Sequence, residues 1–219
     1  MELKILHADG SLEAGEFELG QTSDRPPNCR LTFRSPRREA STFENSDFFE
    51  CLVDFRRVIE GEGGKVLCHG ARRDVFPSPM QRRTAGGLKA YHQRLGEKAL
   101  EQDQVDTFAE TEAALVGTVD EQRAYNETWL RSLGWEQSGG KWYMTDASKT
   151  PTPGEIEEAK RFPNGSVSRI ASGFDPDGAV PIEAIEGAWP VDGEGRIAGK
   201  FLKNPRYDPK LGQGDAKKH

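Results

Sequence analysis

The chain has 219 residues, 35% hydrophobic and 30% charged, with 30 basic against 36 acidic side chains and a formal net charge of −6. That length holds one large or two small domains, and the acidic balance argues against nucleic acid as a partner, because phosphate binding needs a clustered positive field. No apolar run approaches the ~20 residues that cross a bilayer, so no membrane partner is expected. The start Met1-Glu2-Leu3-Lys4 shows no secretory leader, which makes the cytoplasm the expected location. Three cysteines (Cys29, Cys51 and Cys68) without C-x-x-C spacing read as small apolar thiols of a reducing compartment rather than a disulfide framework or a metal site.

Near the start, Leu3 and Ile5 alternate with Lys4 and Leu6, Ala8-Asp9-Gly10-Ser11 marks a turn, and Glu16-Phe17-Glu18-Leu19 alternates again. This predicts a hairpin. Residues 21–29 read as a polar, proline-containing loop. A second hairpin is predicted from Leu31-Thr32-Phe33 and Ala40-Ser41-Thr42-Phe43, with Ser35-Pro36-Arg37-Arg38 as its charged tip. The clearest helix follows. Asp47 and Glu50 have capping-box spacing, and Phe48, Leu52, Phe55 and Ile59 recur at helical period with Phe49 and Val53 beside them. Asp54, Arg56 and Arg57 are assigned to its solvent face, and Gly61-Glu62-Gly63-Gly64 ends it.

Lys65-Val66-Leu67-Cys68 reads as a short strand, and Ser78-Pro79 as the cap and first turn of a short helix stopped by Gly86-Gly87. Residues 88–95 fit strand or helix, and the bracketing glycines favour strand, with residues 105–108 as a partner strand. Thr118 and Glu121 form a capping box before a helix whose face carries Tyr125, Trp129 and Leu133 and which Gly134 closes. Half of the 24 glycines and most of the 13 prolines follow residue 134, so loops gain weight there. Lys141-Trp142-Tyr143-Met144 and residues 167–170 read as strands. An acidic helix spans 155–161, one helical turn 182–185, and a hairpin is predicted around Asp192-Gly193-Glu194-Gly195.

No complete catalytic constellation emerges. Cys68 and His69 are neighbours, but in a strand their side chains would point to opposite faces. His7, His69, His92 and His219 lack metal-ligand spacing. The carboxylate pairs Glu60/Glu62 and Glu155/Glu157 sit at helix ends, where structural roles suffice. Gly61-Glu62-Gly63-Gly64 follows a helix rather than a strand, so its amides do not form a phosphate cradle. No catalytic residue, metal or cofactor is therefore expected. The most unusual stretch is 69–83, where Arg72, Arg73, Arg82 and Arg83 flank the proline-bracketed Phe76. Guanidiniums suit bidentate contacts to carboxylates, and Arg with aromatics is typical of interface hot spots. The functional reading is a recognition surface for an acidic protein partner, and the bland one is a solvated loop.

Two resemblances rest on particular residues. Lys4-Ile5-Leu6-His7-Ala8-Asp9-Gly10, Phe48-Phe49-Glu50-Cys51-Leu52, Cys68-His69-Gly70-Ala71-Arg72-Arg73-Asp74-Val75-Phe76-Pro77-Ser78, Gly87-Leu88-Lys89-Ala90-Tyr91 and Val119-Asp120-Glu121-Gln122-Arg123-Ala124-Tyr125 make residues 1–134 resemble a family of small bacterial proteins of the accessory and immunity-like kind found at toxin loci. Pro163-Asn164-Gly165-Ser166-Val167-Ser168-Arg169-Ile170, Val180-Pro181-Ile182-Glu183-Ala184-Ile185-Glu186-Gly187-Ala188-Trp189 and Asn204-Pro205-Arg206-Tyr207 make residues 163–207 similar to the closing segment of polymorphic toxins of the cholera-type ADP-ribosyltransferase kind. The catalytic motifs of those toxins are missing. Asp175-Pro176-Asp177 stands where a Glu-x-Glu turn belongs, and Ser41-Thr42-Phe43 is not their Ser-Thr-Ser strand.

The resulting expectation is an α+β protein: an antiparallel sheet with two main helices over 1–138, a linker with a short helix over 139–162, a smaller strand-rich module over 163–208, and a disordered tail over 209–219. The resemblances imply a non-catalytic binding protein of a bacterial toxin system, possessing a protein partner such as a cognate toxin. The alternative is a divergent ADP-ribosyltransferase using NAD, with Asp175 or Asp177 in place of glutamate.

Overall fold

The computed structural model describes residues 1–23, 28–138, 141–175 and 178–211. Among them are four α-helices and thirteen strands, and the sheets are antiparallel. The α+β class is as expected. Contacts divide the chain into two units, Met1–Ser132 and Leu133–His219.

In the first unit, β1 (Glu2–Leu6) and β2 (Leu12–Gln21) form the first hairpin, and β3 (Cys29–Ser35) and β4 (Arg38–Asn45) the second. The loop expected over 21–29 is shorter than it looked, because Gln21 and Cys29 already pair across β2 and β3; its residues 24–27 lie outside the described ones. Along β2, Glu13, Gly15 and Phe17 face inward with the period of a strand. Gly15 is dictated by packing, since a Cβ there would come within 2.3 Å of the Phe33 ring.

The helix α1 (Phe48–Gly61) starts where the Asp47 carboxylate accepts the Glu50 amide at 2.9 Å. β5 (Lys65–Val66) then completes a sheet of order β4-β3-β2-β1-β5. After a 3-10 turn at His69–Ala71 come β6 (Val75–Phe76), α2 (Pro79–Ala85), β7 (Lys89–His92), β8 (Gln104–Asp106) and α3 (Val119–Ser132). β6, β7 and β8 form a separate three-stranded sheet, so residues 88–95 do contain a strand and 105–108 do supply its partner. Both predicted caps form: Ser78 with Gln81 before α2, and Thr118 with Glu121 before α3.

One face of α1, carrying Cys51, Leu52, Phe55 and Ile59, packs on Leu3, Ile5, Phe17, Leu31 and Phe33 of the large sheet. Each such apolar side chain contributes about 1.5–3 kcal/mol when buried. A second face, with Phe49 and Val53, meets Val119 of α3. Two buried faces leave little of α1 for solvent, and this corrects the placement of Arg56. Arg57 is exposed as expected, but Arg56 is 0% exposed. Its Nη1 donates to Gly70 O at 3.1 Å and to Gln122 Oε1 at 2.6 Å, and its Nη2 donates to Gly117 O at 2.9 Å. Glu60 stands 3.3 Å from Nη2 and also accepts the Val119 amide at the start of α3. Burial lowers the Arg56 pKa from its ordinary value, and these acceptors compensate the buried charge.

The second unit contains β9 (Trp135–Ser138), β10 (Lys141–Asp146), α4 (Pro153–Ala159), β11 (Ser166–Ile170), β12 (Ile185–Pro190) and β13 (Phe201–Lys203), in the sheet order β11-β12-β13-β10-β9. A boundary near 138 and a linker from 139 therefore do not describe this structure. β9 pairs with β10, and β10 pairs with β13, so 133–146 and 163–208 share one sheet. The hairpin around 192–195 reduces to a bridge between Val191 and Ile197, and the longer pairing is between β12 and β13. The tail from 212 lies outside the described residues. α4 is tied to β11 by Arg169, which donates from Nε and Nη2 to Glu155 at 2.8 and 2.6 Å and lies 5.3 Å from the Phe201 ring centre.

Replacing Arg56 by Met leaves the Gly117 carbonyl and the Gln122 oxygen without their donor, and a lower urea midpoint corresponding to a loss of about 3 kcal/mol is expected; an unchanged midpoint would contradict this account. Burial opposes the charge of Glu155, but the Arg169 hydrogen bonds and the Thr152 amide outweigh it and lower its pKa to about 2. A depressed carboxylate stabilises fully above its ordinary value of 4.5 and loses that stabilisation as pH falls toward 2. Acid titration should therefore cost the second unit on the order of 3 kcal/mol through this pair. Glu155→Gln should be less stable at pH 7 and should flatten that part of the acid profile.

Candidate functional site

The 69–83 segment strings together the 3-10 turn, the short strand β6 and the start of α2, and the carbonyls of Gly70, Arg72 and Val75 find donors in two side chains from helices. Besides receiving Arg56, Gly70 O accepts from Gln122 Nε2 at 2.9 Å, and the same nitrogen lies 2.7 Å from Arg72 O and 2.8 Å from Val75 O. Gln122 is 1% exposed. An amide nitrogen carries only two protons, so three acceptors share two donors. Gly70 itself is required, because a Cβ would lie 2.6 Å from Leu52 and from Thr107. The His69 and Gly70 amides bond to Ala109 and Thr107 carbonyls at 2.8 and 2.7 Å. Residues 69–75 are thereby fixed, with side chains carried on a defined backbone.

The five predicted partner-binding residues separate into two sets. Arg72 points into the fold: Nε and Nη2 grip Asp74 at 3.0 and 3.1 Å. Arg82 pairs with Glu50 and lies 5.5 and 5.7 Å from the Phe49 and Phe76 ring centres. Phe76 is half-buried, edge-on to Phe49 at 5.2 Å. Arg73 and Arg83 are exposed, and among the described residues neither has an ion-pair partner.

Behind Arg72 lies a polar cluster that the sequence reading did not assemble. His92 Nε2 sits 2.7 Å from Asp74 Oδ2 and 2.8 Å from Arg72 Nη2. A proton on Nε2 directed at the carboxylate satisfies the first contact, and the second is then a close approach of two donors. Burial opposes the charge of Asp74, but hydrogen bonds from Arg72 and His92 hold its pKa below the ordinary value. Arg94 Nη1 donates to Asp103 at 2.9 Å. His69, Arg72, His92, Arg94 and Asp103 line a cavity of about 150 Å³. The available signal was the two-residue spacing of His92 and Arg94, which places both on one side of an extended chain.

Other candidate groups prove structural. Cys68 is fully buried, and burial pushes its thiol up to about 11, which removes it as a nucleophile at neutral pH. His7 and Ser35 both contact Glu13, so the carboxylate stands between hydroxyl and imidazole; nucleophile activation needs the imidazole in that middle place. Glu60 caps α3, Glu62 pairs with Arg38 at 2.6 Å, and Glu157 pairs with Lys160. Ser41 and Thr42 lie on β4, within the first unit, whereas Asp175 belongs to the second; Asp177 lies outside the described residues. No family model and no curated protein matches this chain.

Proposed function

We propose that this chain is a non-catalytic protein-binding module of the immunity-like or accessory kind, acting in a bacterial toxin system and in the cytoplasm, which engages an acidic partner through the 69–83 segment. One observation carries the reading: Arg73 and Arg83 are exposed without acidic partners among the described residues, Arg73 beside backbone that the Gln122 amide and the Arg56 guanidinium hold in place and Arg83 on the capped helix α2. A pre-organised segment loses little conformational freedom on binding, so its charges act at less entropic cost than on a loose loop. Phe76 and Arg82 are packed beneath as the support of that surface. Cys29, Cys51 and Cys68 are free and buried, in keeping with a reducing compartment, and no described helix is long and apolar enough to cross a membrane. The toxin-locus assignment comes from the sequence resemblance, and the acidic partner from the chemistry of the guanidiniums.

The test is a pull-down from a host carrying the native locus, comparing the natural chain with the double variant Arg73→Glu, Arg83→Glu. Recovery of a toxin-locus product by the natural chain, weakened about tenfold or more by charge reversal and by added salt, is the expected result. Recovery of no such product, or equal recovery by both forms with the same salt response, would refute the reading.

A further inference from the structure

The cavity behind Arg72 has an imbalance of donors and acceptors that indicates its ligand. The two carboxylates that pair with its arginines are engaged: Asp74, outside the lining, accepts from Arg72 Nε at Oδ1, and its Oδ2 faces Arg72 Nη2 and His92 Nε2. Asp103 Oδ1 accepts from Arg94 Nη1, and its Oδ2 accepts the Leu100 amide at 2.9 Å. The donors are not used up. Arg72 keeps Nη1, and Arg94 keeps Nε and Nη2, without a protein acceptor among the described residues. His69 also lines the cavity. Its Nδ1 is buried without a hydrogen-bond partner among the described residues. Two guanidiniums and two imidazoles thus border a space whose one carboxylate is occupied, with the Gln102 amide at its exposed edge.

The geometry points to a binding site for a small oxyanion, a phosphoryl or carboxylate group, held by the Arg72 and Arg94 guanidiniums and bordered by His69 and His92. An oxyanion supplies several acceptor lone pairs and no obligatory donor, which is the complement of this lining, and guanidinium forks match it in shape as well as charge. The cavity volume of about 150 Å³ suits a group of this size rather than a whole nucleotide; a water in liquid occupies ~30 Å³. Because Asp74 and Asp103 already neutralise the two arginines, binding depends on directed N–H groups more than on net charge, and modest affinity is expected. This site goes beyond the proposed partner surface and does not use Arg73 or Arg83.

The experiment follows the His69 and His92 ring resonances by NMR in the full chain during titration with inorganic phosphate, with acetate as a second arm and chloride as control, at constant pH and low salt. Saturable shifts with phosphate or acetate and none with chloride are expected, and the stronger of the two anions assigns the ligand as phosphoryl or carboxylate. Arg94→Gln should weaken binding about tenfold, and Gln102→Glu, which places a like charge at the cavity's exposed edge without removing any contact inside it, should weaken it about threefold. Arg83→Gln should leave binding unchanged, which separates this site from the partner surface. Absence of saturation by about 10 mM of both phosphate and acetate, tenfold above the millimolar affinity scale, overturns the assignment. So does equal binding by the Gln102→Glu protein, whose fold does not depend on that exposed side chain.

Discussion

A guanidinium buried beneath α1 organises the first unit. Arg56 brings a charge into the interior, and such a charge is tolerated only when it is paired and hydrogen-bonded. The acceptors come from parts of the chain that have no helix or strand partners of their own: the carbonyls of Gly70 and Gly117, with Gln122 and Glu60 completing the set. Each side solves the other's problem. Irregular backbone requires donors inside the protein, and the buried arginine requires acceptors. Filling the same space with an apolar side chain would satisfy neither.

This constraint carries through to the surface. Arg56 and Gln122 hold the backbone of 70–75, and that backbone sets where its side chains go. Arg72 turns inward to Asp74 and His92, while the neighbouring Arg73 turns outward. Arg82 and Arg83 divide in the same way, one over the Phe49 and Phe76 rings and the other in solvent. The four arginines that look like one basic cluster in the sequence thus serve two purposes, internal support and external charge. Of the inward members, Arg72 borders a cavity and Arg82 packs on the two rings, and the outward members form the surface proposed to meet a protein partner.

Much of the fold was legible because its signals are local. Alternation with turn residues marked both hairpins, and Asp47, Ser78 and Thr118 marked three helix starts through hydrogen bonds that span only three residues. What was missed depends on distant parts of the chain. Assigning Arg56 to solvent assumed that α1 buries a single stripe, and nothing near residue 56 announces that α3 covers a second one. Asp74 and His92 are 18 positions apart and meet only because β6 and β7 pair. The boundary expected after residue 138 falls between two strands that pair with each other. The site was therefore half visible: its arginines stood out by composition, whereas the imidazoles and carboxylates that divide their roles did not.

The claim that a helix-borne clamp orders the 69–76 backbone is tested most directly by amide hydrogen exchange in Gln122→Leu. The His69 and Gly70 amides, bonded to Ala109 and Thr107 carbonyls, should exchange at least tenfold faster relative to the β2–β3 amides once two carbonyls lose their donor, each orphan being worth about 1–3 kcal/mol. Protection of these amides that stays in step with the β2–β3 ladder would contradict the account, because the segment would then be held by something other than the clamp.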